Sequence, residues 1–166
     1  MSIINSKRLV LKKISTKDVN QLIKNLNNWN IVKWLVNVPY PYTINDANFW
    51  IDKSNNEELC LNIYKNNILV GGISIDKRDR NVNELGYWIG EEYWGNGYAL
   101  EACQSLISYF FLNSIEKTIY CGHMKGNEKS KKIILKLGFK KINTGKKYSV
   151  SRKEEVKDII YELEKS

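Results

Sequence analysis

The sequence predicts an α/β fold built on one mixed, mostly antiparallel sheet that is flanked by helices. Segments in which apolar residues alternate are interspersed with segments in which they recur every three or four positions, and these patterns are typical of strands and helices. Their order is a strand, two or three helices, three strands, a helix, a strand, a helix and two strands. Consecutive strands favour hairpins, and the later helices favour crossover connections. The 166 residues predict a single domain, residues 1–166, with a sizeable core.

The composition excludes several classes of protein. Hydrophobic residues make up 43% of the chain and charged residues 27%, so a disordered chain is disfavoured. There is no long uncharged apolar run for a membrane-spanning helix and no signal-peptide core at the N-terminus. We therefore expect a cytoplasmic protein without a membrane partner. One His and three Cys without a CxxC pair are too few ligands for a metal site.

The first third of the chain predicts one strand followed by helices. Alternation of apolar residues predicts the strand over 8–14,. Ser15 and Asp18 form an S-x-x-D pattern, a capping box that opens the first helix, and Thr43 and Asp46 form the equivalent pattern before a later one. A short helix over 31–36, a rigid loop over 39–42 and a helix over 47–53 complete this region.

The rest of the chain predicts a strand-rich middle and two amphipathic helices. Asn66 and Asn67 suit a hairpin turn. Apolar residues at helical spacing after Gly97 predict a long helix, and Gly138 suits the left-handed residue that ends the next one. Strands are predicted over 59–64, 68–75, 82–89, 117–121, 139–142 and 156–163, helices over 99–111 and 128–137, and a polar turn over 76–81.

Two glycines at the start of the long helix indicate an anion site. The first backbone N–H groups of a helix have no partner within it and lie at the positive end of the helix dipole. Gly95 and Gly97 allow a phosphate to approach these groups closely. The absence of a following GK[ST] excludes a Walker loop, and Leu100 at the third glycine position disfavours a dinucleotide fingerprint. A diphosphate bound by backbone amides is one interpretation of this pattern, and an ordinary tight turn before a helix is the other.

The longer pattern around these glycines is more specific. Residues Glu92 to Gly97 (E-Y-W-G-N-G) follow the pattern [RQ]-x-x-G-x-[GA], except that Glu92 replaces Arg or Gln. Three further motifs accompany this pattern: Asn127-x-x-Ser130, L-K-L-G-F over 135–139 and P-Y-P-Y-T over 39–43. Together these motifs resemble the GNAT superfamily of N-acetyltransferases, in the ribosomal-protein-alanine (RimJ/RimL-like) branch, over nearly the whole chain.

The resemblance implies a seven-stranded GNAT sheet that splays apart between strands 4 and 5, with acetyl-CoA as co-substrate in the split and no metal. It implies that Asn127 bonds the pantetheine arm. Three further residues are expected to pair with that arm through their backbone, as an added strand would, namely Trp88, Ile89 and Gly90. The diphosphate is expected on the amides of Trp94, Gly95, Asn96, Gly97, Tyr98 and Ala99.

Acetyl transfer to an amine requires a group that accepts the amine proton. Glu84, on the strand before the glycine loop, is the first candidate for this general base, acting through water, and a family acid often occupies this position. The alternative is that Glu84 is a surface carboxylate on a strand whose side chains alternate between buried and exposed positions. His123 ends the next strand and is the second candidate, because imidazole titrates near neutrality; a lone His is more often structural.

The leaving thiolate benefits from an acid. Many members of the family use a tyrosine four residues before the glycine that here is Gly138, but this chain has Ile134 there. The candidates that remain are Ser130, a water molecule, or no acid at all. The alternative role of Ser130 is in the first turn of a helix that Asn127 caps. Cys103 and Cys121 suit buried positions, which disfavours a thiol nucleophile and favours direct attack in a ternary complex.

The acceptor is the open part of the prediction. The net charge of +8 comes from lysines spread along the chain, so nucleic acid is a disfavoured partner. A protein N-terminal α-amine is the first acceptor hypothesis. The alternatives are a small amine (aminoglycoside, polyamine or amino acid), with a local acidic patch at Asp46, Glu57 and Glu58 for a cationic one, or a non-catalytic acyl-CoA-binding or nucleic-acid-binding module. Both a monomer and a homodimer fit the sequence.

Overall fold

The computed structural model describes residues 2–78 and 81–166 and contains one eight-stranded sheet with helices on both faces. The strands are β1 Ile4–Asn5, β2 Val10–Lys12, β3 Cys60–Lys65, β4 Ile68–Lys77, β5 Asn83–Ile89, β6 Thr118–Met124, β7 Lys140–Ser149 and β8 Glu154–Glu164. The helices are α1 Val19–Leu26, α2 Trp29–Val32, α3 Ile44–Asn56, α4 Tyr98–Asn113 and α5 Glu128–Lys136, with short 3₁₀ turns over Thr16–Asp18 and Glu91–Tyr93.

The order of the strands across the sheet is β1-β2-β3-β4-β5-β6-β8-β7. Every neighbouring pair is antiparallel except β5 and β6, which run parallel and are joined by α4 as a crossover. This confirms the mixed, mostly antiparallel sheet with a crossover in its second half. It also places the change of strand direction in the middle of the sheet, where ligands bind in open α/β folds.

The predicted number of seven strands is wrong by one. The additional strand is β1, which precedes the segment that was expected as a single strand over 8–14. A turn in which Ser6 N donates to Leu9 O (2.9 Å) brings β1 and β2 together as an antiparallel pair. The extra strand lies at the sheet edge, so β5 and β6 correspond to the predicted strands 4 and 5. Their parallel register consists of Glu84↔Tyr120 and Leu85↔Cys121. The two strands separate beyond these pairs, which confirms the predicted splay.

Two apolar cores hold the layers together. One lies between the sheet and α4 and α5 and includes Leu11, Leu85 and Leu106. The other lies between the sheet and α1, α2 and α3 and includes Leu22 and Val32. Burial of such side chains contributes about 25 cal/mol per Å² of apolar surface. The sheet is therefore packed on both faces, and the split between β5 and β6 opens from its centre.

The two predicted capping boxes have different outcomes. At α3 both bonds form: Asp46 N donates to Thr43 Oγ1 (3.4 Å), and Thr43 N donates to Asp46 Oδ2 (2.7 Å). Before α1 the box is wrong, because Ser15 makes no side-chain cap bond to any described residue. The Asp18 carboxylate instead accepts a hydrogen bond from Tyr64 Oη at 2.8 Å, which joins the helix start to β3.

Most of the other element predictions are confirmed, with shifted bounds. The Asn66-Asn67 turn has positive φ at both residues, and Gly138 ends α5 with φ 92°. The second helix begins and ends earlier than the predicted 31–36, and β7 and β8 are longer than predicted. The first part of the predicted polar turn over 76–81 belongs to β4, and its residues 79 and 80 lie outside the described residues. Within the described ranges, no helix combines the length and apolar character needed to cross a bilayer.

Candidate active site

The split between β5 and β6 leaves a row of backbone groups without a strand partner. Gly90 N donates to Val70 O at 2.8 Å, so in the alternating antiparallel pattern Gly90 and Trp88 direct their backbone groups at β4. Tyr87 and Ile89 then direct theirs into the split. Of the three residues predicted to pair with an extended ligand, Ile89 is correctly oriented. The backbone groups of Trp88 and Gly90 are directed at β4, and Tyr87, which the sequence analysis did not include, is directed into the split.

The glycine loop between β5 and α4 has the geometry of an anion cradle. Gly95 and Gly97 have φ of 79° and 76°, the left-handed region that glycine adopts readily,. Among the described residues no side chain caps the first turn of α4, so its amides keep donors for a ligand. A Cβ on Gly95 would meet nothing within 4 Å in the described chain. The loop therefore has room for a phosphate, and its residues fit the diphosphate of acetyl-CoA.

Side chains of the loop hold it in this conformation. Trp94 Nε1 donates to Ile89 O at 2.8 Å, and Asn96 Nδ2 donates to Tyr93 O at 2.9 Å. The Lys129 ammonium of α5 lies 4.2 Å from the centroid of the Trp94 ring. Trp94 and Asn96 thus contribute side chains to the shape of the loop in addition to the backbone role predicted for them.

A cavity of about 1170 Å³ extends from this loop along the split. It brings together most of the predicted site residues in one continuous space, bounded by β5, β6, α5 and the segment from α2 to α3. The predicted residues that line it are Glu84, Trp88, Ile89, Trp94, Gly95, Gly97, Tyr98, Ala99, His123, Asn127 and Ser130.

Glu84 lies at the point where β5 and β6 begin to separate. Its side chain is buried, with 4% of the residue exposed, so the alternative of a surface carboxylate is wrong. Lys147 Nζ of β7 contacts Glu84 Oε1 at 3.1 Å and Asp158 Oδ2 of β8 at 3.5 Å. Glu84 is therefore an ion-paired carboxylate at the floor of the cavity.

Two glycines make room for charged groups around this floor. A Cβ on Gly86 would lie 2.3 Å from Arg78 Nη2, and one on Gly122 would lie 2.8 Å from Asp158 Oδ1. Arg78 in turn pairs with Asp76 at 2.9 Å. Because such short contacts are impossible for a real Cβ, Gly86 and Gly122 are required for these side chains to approach the split.

Asp76 is the second buried carboxylate in this region. Burial by itself would raise the pKa of Asp76, but the charges and hydrogen bonds of Arg78 and Lys53 outweigh burial and hold that pKa below its usual value. Lys53 Nζ lies 3.2 Å from Asp76 Oδ2. Positive and negative side chains therefore alternate across the floor, from Lys53 to Lys147.

His123 lines the cavity, but both of its ring nitrogens have partners. Nδ1 lies 2.9 Å from Met124 O, and Nε2 lies 3.0 Å from Tyr161 Oη. Because a carbonyl only accepts, Nδ1 donates to Met124 O, and Nε2 is hydrogen-bonded to the tyrosine hydroxyl,. This arrangement favours the structural interpretation of His123 over that of a general base.

Ser130 and Asn127 lie at the start of α5, as predicted. Ser130 N donates to Asn127 Oδ1 at 3.3 Å, so Asn127 is the N-cap. The Ser130 hydroxyl lies 2.8 Å from Tyr87 Oη, across the split. Burial raises the pKa of Tyr87, which keeps this phenol protonated. Tyr87 is a polar site residue that the sequence analysis missed.

Ile134, at the position of the tyrosine acid that the resemblance implies, is fully buried in the core beside α4. A tyrosine there would overpack that core. The polar group of this region is instead the hydroxyl pair formed by Ser130, one turn before Ile134 on α5, and Tyr87 of β5.

The three cysteines are buried. Burial raises the pKa of Cys60 to about 11 and that of Cys121 to about 12, and it also raises the pKa of Cys103. Thiols with such pKa values carry almost no thiolate at neutral pH. The described residues contain no group of three or more His, Cys, Asp or Glu side chains placed to hold a metal ion.

A turn between β7 and β8 is hydrogen-bonded to the backbone of α2 and of the segment that follows it. Val150 N donates to Val36 O (2.9 Å), Ser151 Oγ donates to Val32 O (3.0 Å), and Arg152 Nε donates to Lys33 O (2.7 Å). We call residues 149–153 the β7–β8 turn. It joins the last two strands to the segment around α2, which contributes Lys33 and Val36 to the cavity.

Comparison with known proteins identifies relatives of this fold and site. The putative ribosomal N-acetyltransferase YdaF of Bacillus subtilis is 39% identical over 75 residues, 43% of this chain and 40% of that protein. The match thus spans about two fifths of that relative's length. The uncharacterized N-acetyltransferase p20 of Bacillus licheniformis is 26% identical over 85% of this chain and 84% of its own.

Two solved structures share the fold, and a family model covers most of the chain. RimL, a ribosomal-protein alpha-N-acetyltransferase in complex with coenzyme A, superposes with a TM-score of 0.80 at 16% identity, covering 99% of this chain and 98% of that one. The microcin self-immunity acetyltransferase MccE, in complex with acetyl-CoA and AMP, superposes with a TM-score of 0.79 at 21% identity. The superposition covers 95% of this chain and 93% of that one. Residues 8–140 match the acetyltransferase (GNAT) domain. The chain belongs to the GNAT family and is an acetyl-CoA-dependent acyltransferase.

Proposed function

We propose that this protein transfers an acetyl group from acetyl-CoA to the α-amine of a protein N-terminus by direct attack in a ternary complex. The observation that carries the proposal is the position of Glu84, a buried carboxylate at the floor of the cavity where β5 and β6 separate. The buried thiols support direct attack, since none of the three cysteines has the exposure of a nucleophile,.

Acetyl-CoA, held by the glycine loop and by the backbone of Tyr87 and Ile89, supplies an activated acetyl thioester. Alignment of an amine with this thioester supplies much of the rate. Lys147 pairs with Glu84 and fixes the orientation of its carboxylate. In this proposal the carboxylate accepts the proton of the attacking amine through a water molecule.

The Tyr87–Ser130 hydroxyl pair assists the departure of the thiolate. Ser130 donates a hydrogen bond where negative charge develops, and Tyr87, which burial keeps protonated, donates to Ser130 in turn. Cooperative hydrogen bonding of this kind strengthens the terminal donor. Because the interaction strengthens as the thiolate forms, it lowers the barrier more than it stabilises the bound substrate.

The charge of the cavity favours an acceptor that is neutral or acidic around its amine. Among the described lining residues, Lys and Arg outnumber Asp and Glu. The patch predicted at Asp46, Glu57 and Glu58 lies elsewhere, since Asp46 caps α3 and Glu57 follows the end of the same helix. A polycationic acceptor such as a polyamine would therefore be repelled, and a peptide with an acidic N-terminal sequence would be attracted.

An acceptor screen tests this proposal by release of CoA thiol. We expect acetylation of peptides with a free α-amine, faster for acidic than for basic sequences. The matched control is the same peptide with a blocked α-amine and an internal lysine, which we expect to remain unmodified. Acetylation of the blocked peptide, or of spermidine alone, would contradict the proposed acceptor and leave the acetyltransferase activity intact.

A small amine is the second candidate, and the β7–β8 turn is the observation that favours it. Its bonds to Val32, Lys33 and Val36 hold in place Lys33 and Val36, which line the cavity, and a cavity with a fixed wall suits a small substrate. An amino acid or an amino-substituted nucleotide fits the basic lining better than an aminoglycoside. These compounds belong in the same screen as the peptides.

Replacement of Ser130 tests the assignment of the hydroxyl pair. We expect Ser130→Ala to lower kcat by about ten- to a hundredfold, with little change in the KM for acetyl-CoA. Tyr87→Phe should give a smaller loss, since it leaves the serine hydroxyl in place. Thermal melting is the control, because Ser130 also lies in the first turn of α5. A folded Ser130→Ala enzyme with wild-type kcat would show that this residue belongs only to the helix start.

A further inference from the structure

The first turn of α4 carries an acidic residue close to the glycine loop. Glu101 lies one turn after Gly97, at the N-terminal end of α4, where the helix dipole attracts anions. The negative charge of a carboxylate there repels a bound diphosphate. Burial would raise the pKa of Glu101, but hydrogen bonds from Ser6 and Arg8 outweigh it and hold that pKa below its usual value. Glu101 is therefore charged, and its charge has to be balanced nearby.

Arg8, between β1 and β2, balances this charge and reaches the glycine loop. Its backbone N donates to Glu101 Oε1 and its Nε donates to Glu101 Oε2, both at 2.7 Å. Its Nη2 lies 3.5 Å from the place a Cβ would take on Gly97, and its guanidinium carbon lies 4.9 Å from the Tyr98 ring centroid. The guanidinium thus lies beside the first residues of α4, and the Arg8 side chain is 40% exposed.

The loop's own sequence provides no cation at this place. Glu92 occupies the motif position where Arg or Gln is common, and its carboxylate pairs with Lys24 of α1 at 2.9 Å. Both side chains of that pair are more than half exposed. The pair therefore lies on the outer side of the loop, and the cation at the α4 side comes from the distant Arg8.

We propose that Arg8 binds the diphosphate of acetyl-CoA, replacing a cation that the glycine loop lacks. This rests on the proposed location of the diphosphate at the start of α4. Glu101 engages Nε of Arg8, and Nη2 is the nitrogen next to Gly97, so one edge of the guanidinium is directed at the loop. A planar guanidinium matches phosphate oxygens with two parallel hydrogen bonds, which an ammonium cannot do.

Calorimetric titration of acetyl-CoA into variants of the full chain tests the proposal. We expect Arg8→Gln to weaken binding about tenfold and to make the affinity less dependent on salt concentration, since one charge contact with the ligand is lost. The affinity of Arg8→Lys for acetyl-CoA should lie between that of the wild type and that of Arg8→Gln. Lys24→Gln is the matched control, because it removes a lysine paired on the other side of the loop, and we expect wild-type affinity. Melting curves establish that each variant is folded.

A second ligand, acetyl-dephospho-CoA, identifies the phosphate that Arg8 contacts. An equal loss for both ligands in Arg8→Gln supports the diphosphate. A loss for acetyl-CoA alone places Arg8 at the 3′-phosphate and overturns the proposal, as does wild-type affinity with an unchanged salt dependence in a folded variant. If Gly97→Ala weakens binding of acetyl-CoA but Arg8→Gln does not, only the inference about Arg8 fails and the site at the glycine loop stands. If Gly97→Ala also binds normally, the proposed site itself fails.

Discussion

We expect Glu84→Gln to lower kcat on the order of 10²-fold at neutral pH while leaving the affinity for acetyl-CoA unchanged. The amide cannot accept the amine proton, even though it has nearly the same shape. The measurement is steady-state kinetics at saturating acceptor, combined with calorimetric titration of acetyl-CoA. Because only the unprotonated amine attacks, the rate of the variant should recover as the pH is raised.

Glu155→Gln is the matched control for this substitution. Glu155 is an exposed carboxylate that also pairs with a lysine, Lys146, on the β7–β8 hairpin, and we expect it to retain wild-type kcat. Intact activity of a folded Glu84→Gln enzyme across the pH range would show that Glu84 serves the charged network and that the proton leaves by another route. His123 is then the next residue to test.

The second large effect is expected for Gly97→Ala. A methyl group at this position meets Arg8 Nη2 at an ordinary 3.5 Å, so the described chain itself has space for it. The methyl group would instead occupy the space into which a phosphate approaches the amides of α4. We expect the dissociation constant for acetyl-CoA to rise at least about tenfold, about 1.4 kcal/mol, as measured by calorimetry.

Backbone strain has to be separated from this loss of binding. Gly138 has a similar positive φ, 92° compared with 76° at Gly97, and its Cβ would contact Leu163 at 3.6 Å. Gly138→Ala therefore has a comparable conformational cost at the end of α5, away from the glycine loop. We expect both variants to melt at lower temperature and only Gly97→Ala to lose affinity. Equal affinities would exclude the loop as the phosphate site.

The parts of the fold that depend on neighbours in sequence could be predicted, and those that depend on distant partners could not. Thr43 and Asp46 satisfy each other within one helical turn, so their capping box was predictable. The same pattern at Ser15 and Asp18 fails because the Tyr64 hydroxyl, on β3, bonds the aspartate. The edge strand β1 was missed because it spans only Ile4–Asn5, which is too short for alternation to be detected.

The same distinction applies to the site. Gly95 and Gly97 signal a tight loop by composition, and the start of α4 follows from the apolar spacing after it, so the cradle was predictable. The burial of Glu84 was not predictable, because its partner Lys147 comes from β7 and is itself paired with Asp158 of β8. The orientation of Tyr87 required the register of β5, since a shift by one residue would exchange its backbone direction with that of Trp88.

The burial of all three thiols has a practical consequence for every rate measurement described above. Aromatic disulfide reagents react with thiolate anions that solvent can reach. Cys60, Cys103 and Cys121 are at most 1% exposed, and their pKa values are raised. In the folded enzyme such a reagent will therefore report the CoA released and will leave the protein unmodified. Continuous colorimetric assays can be run on the natural sequence without replacing any cysteine, and a colour burst before substrate is added will indicate unfolded chains.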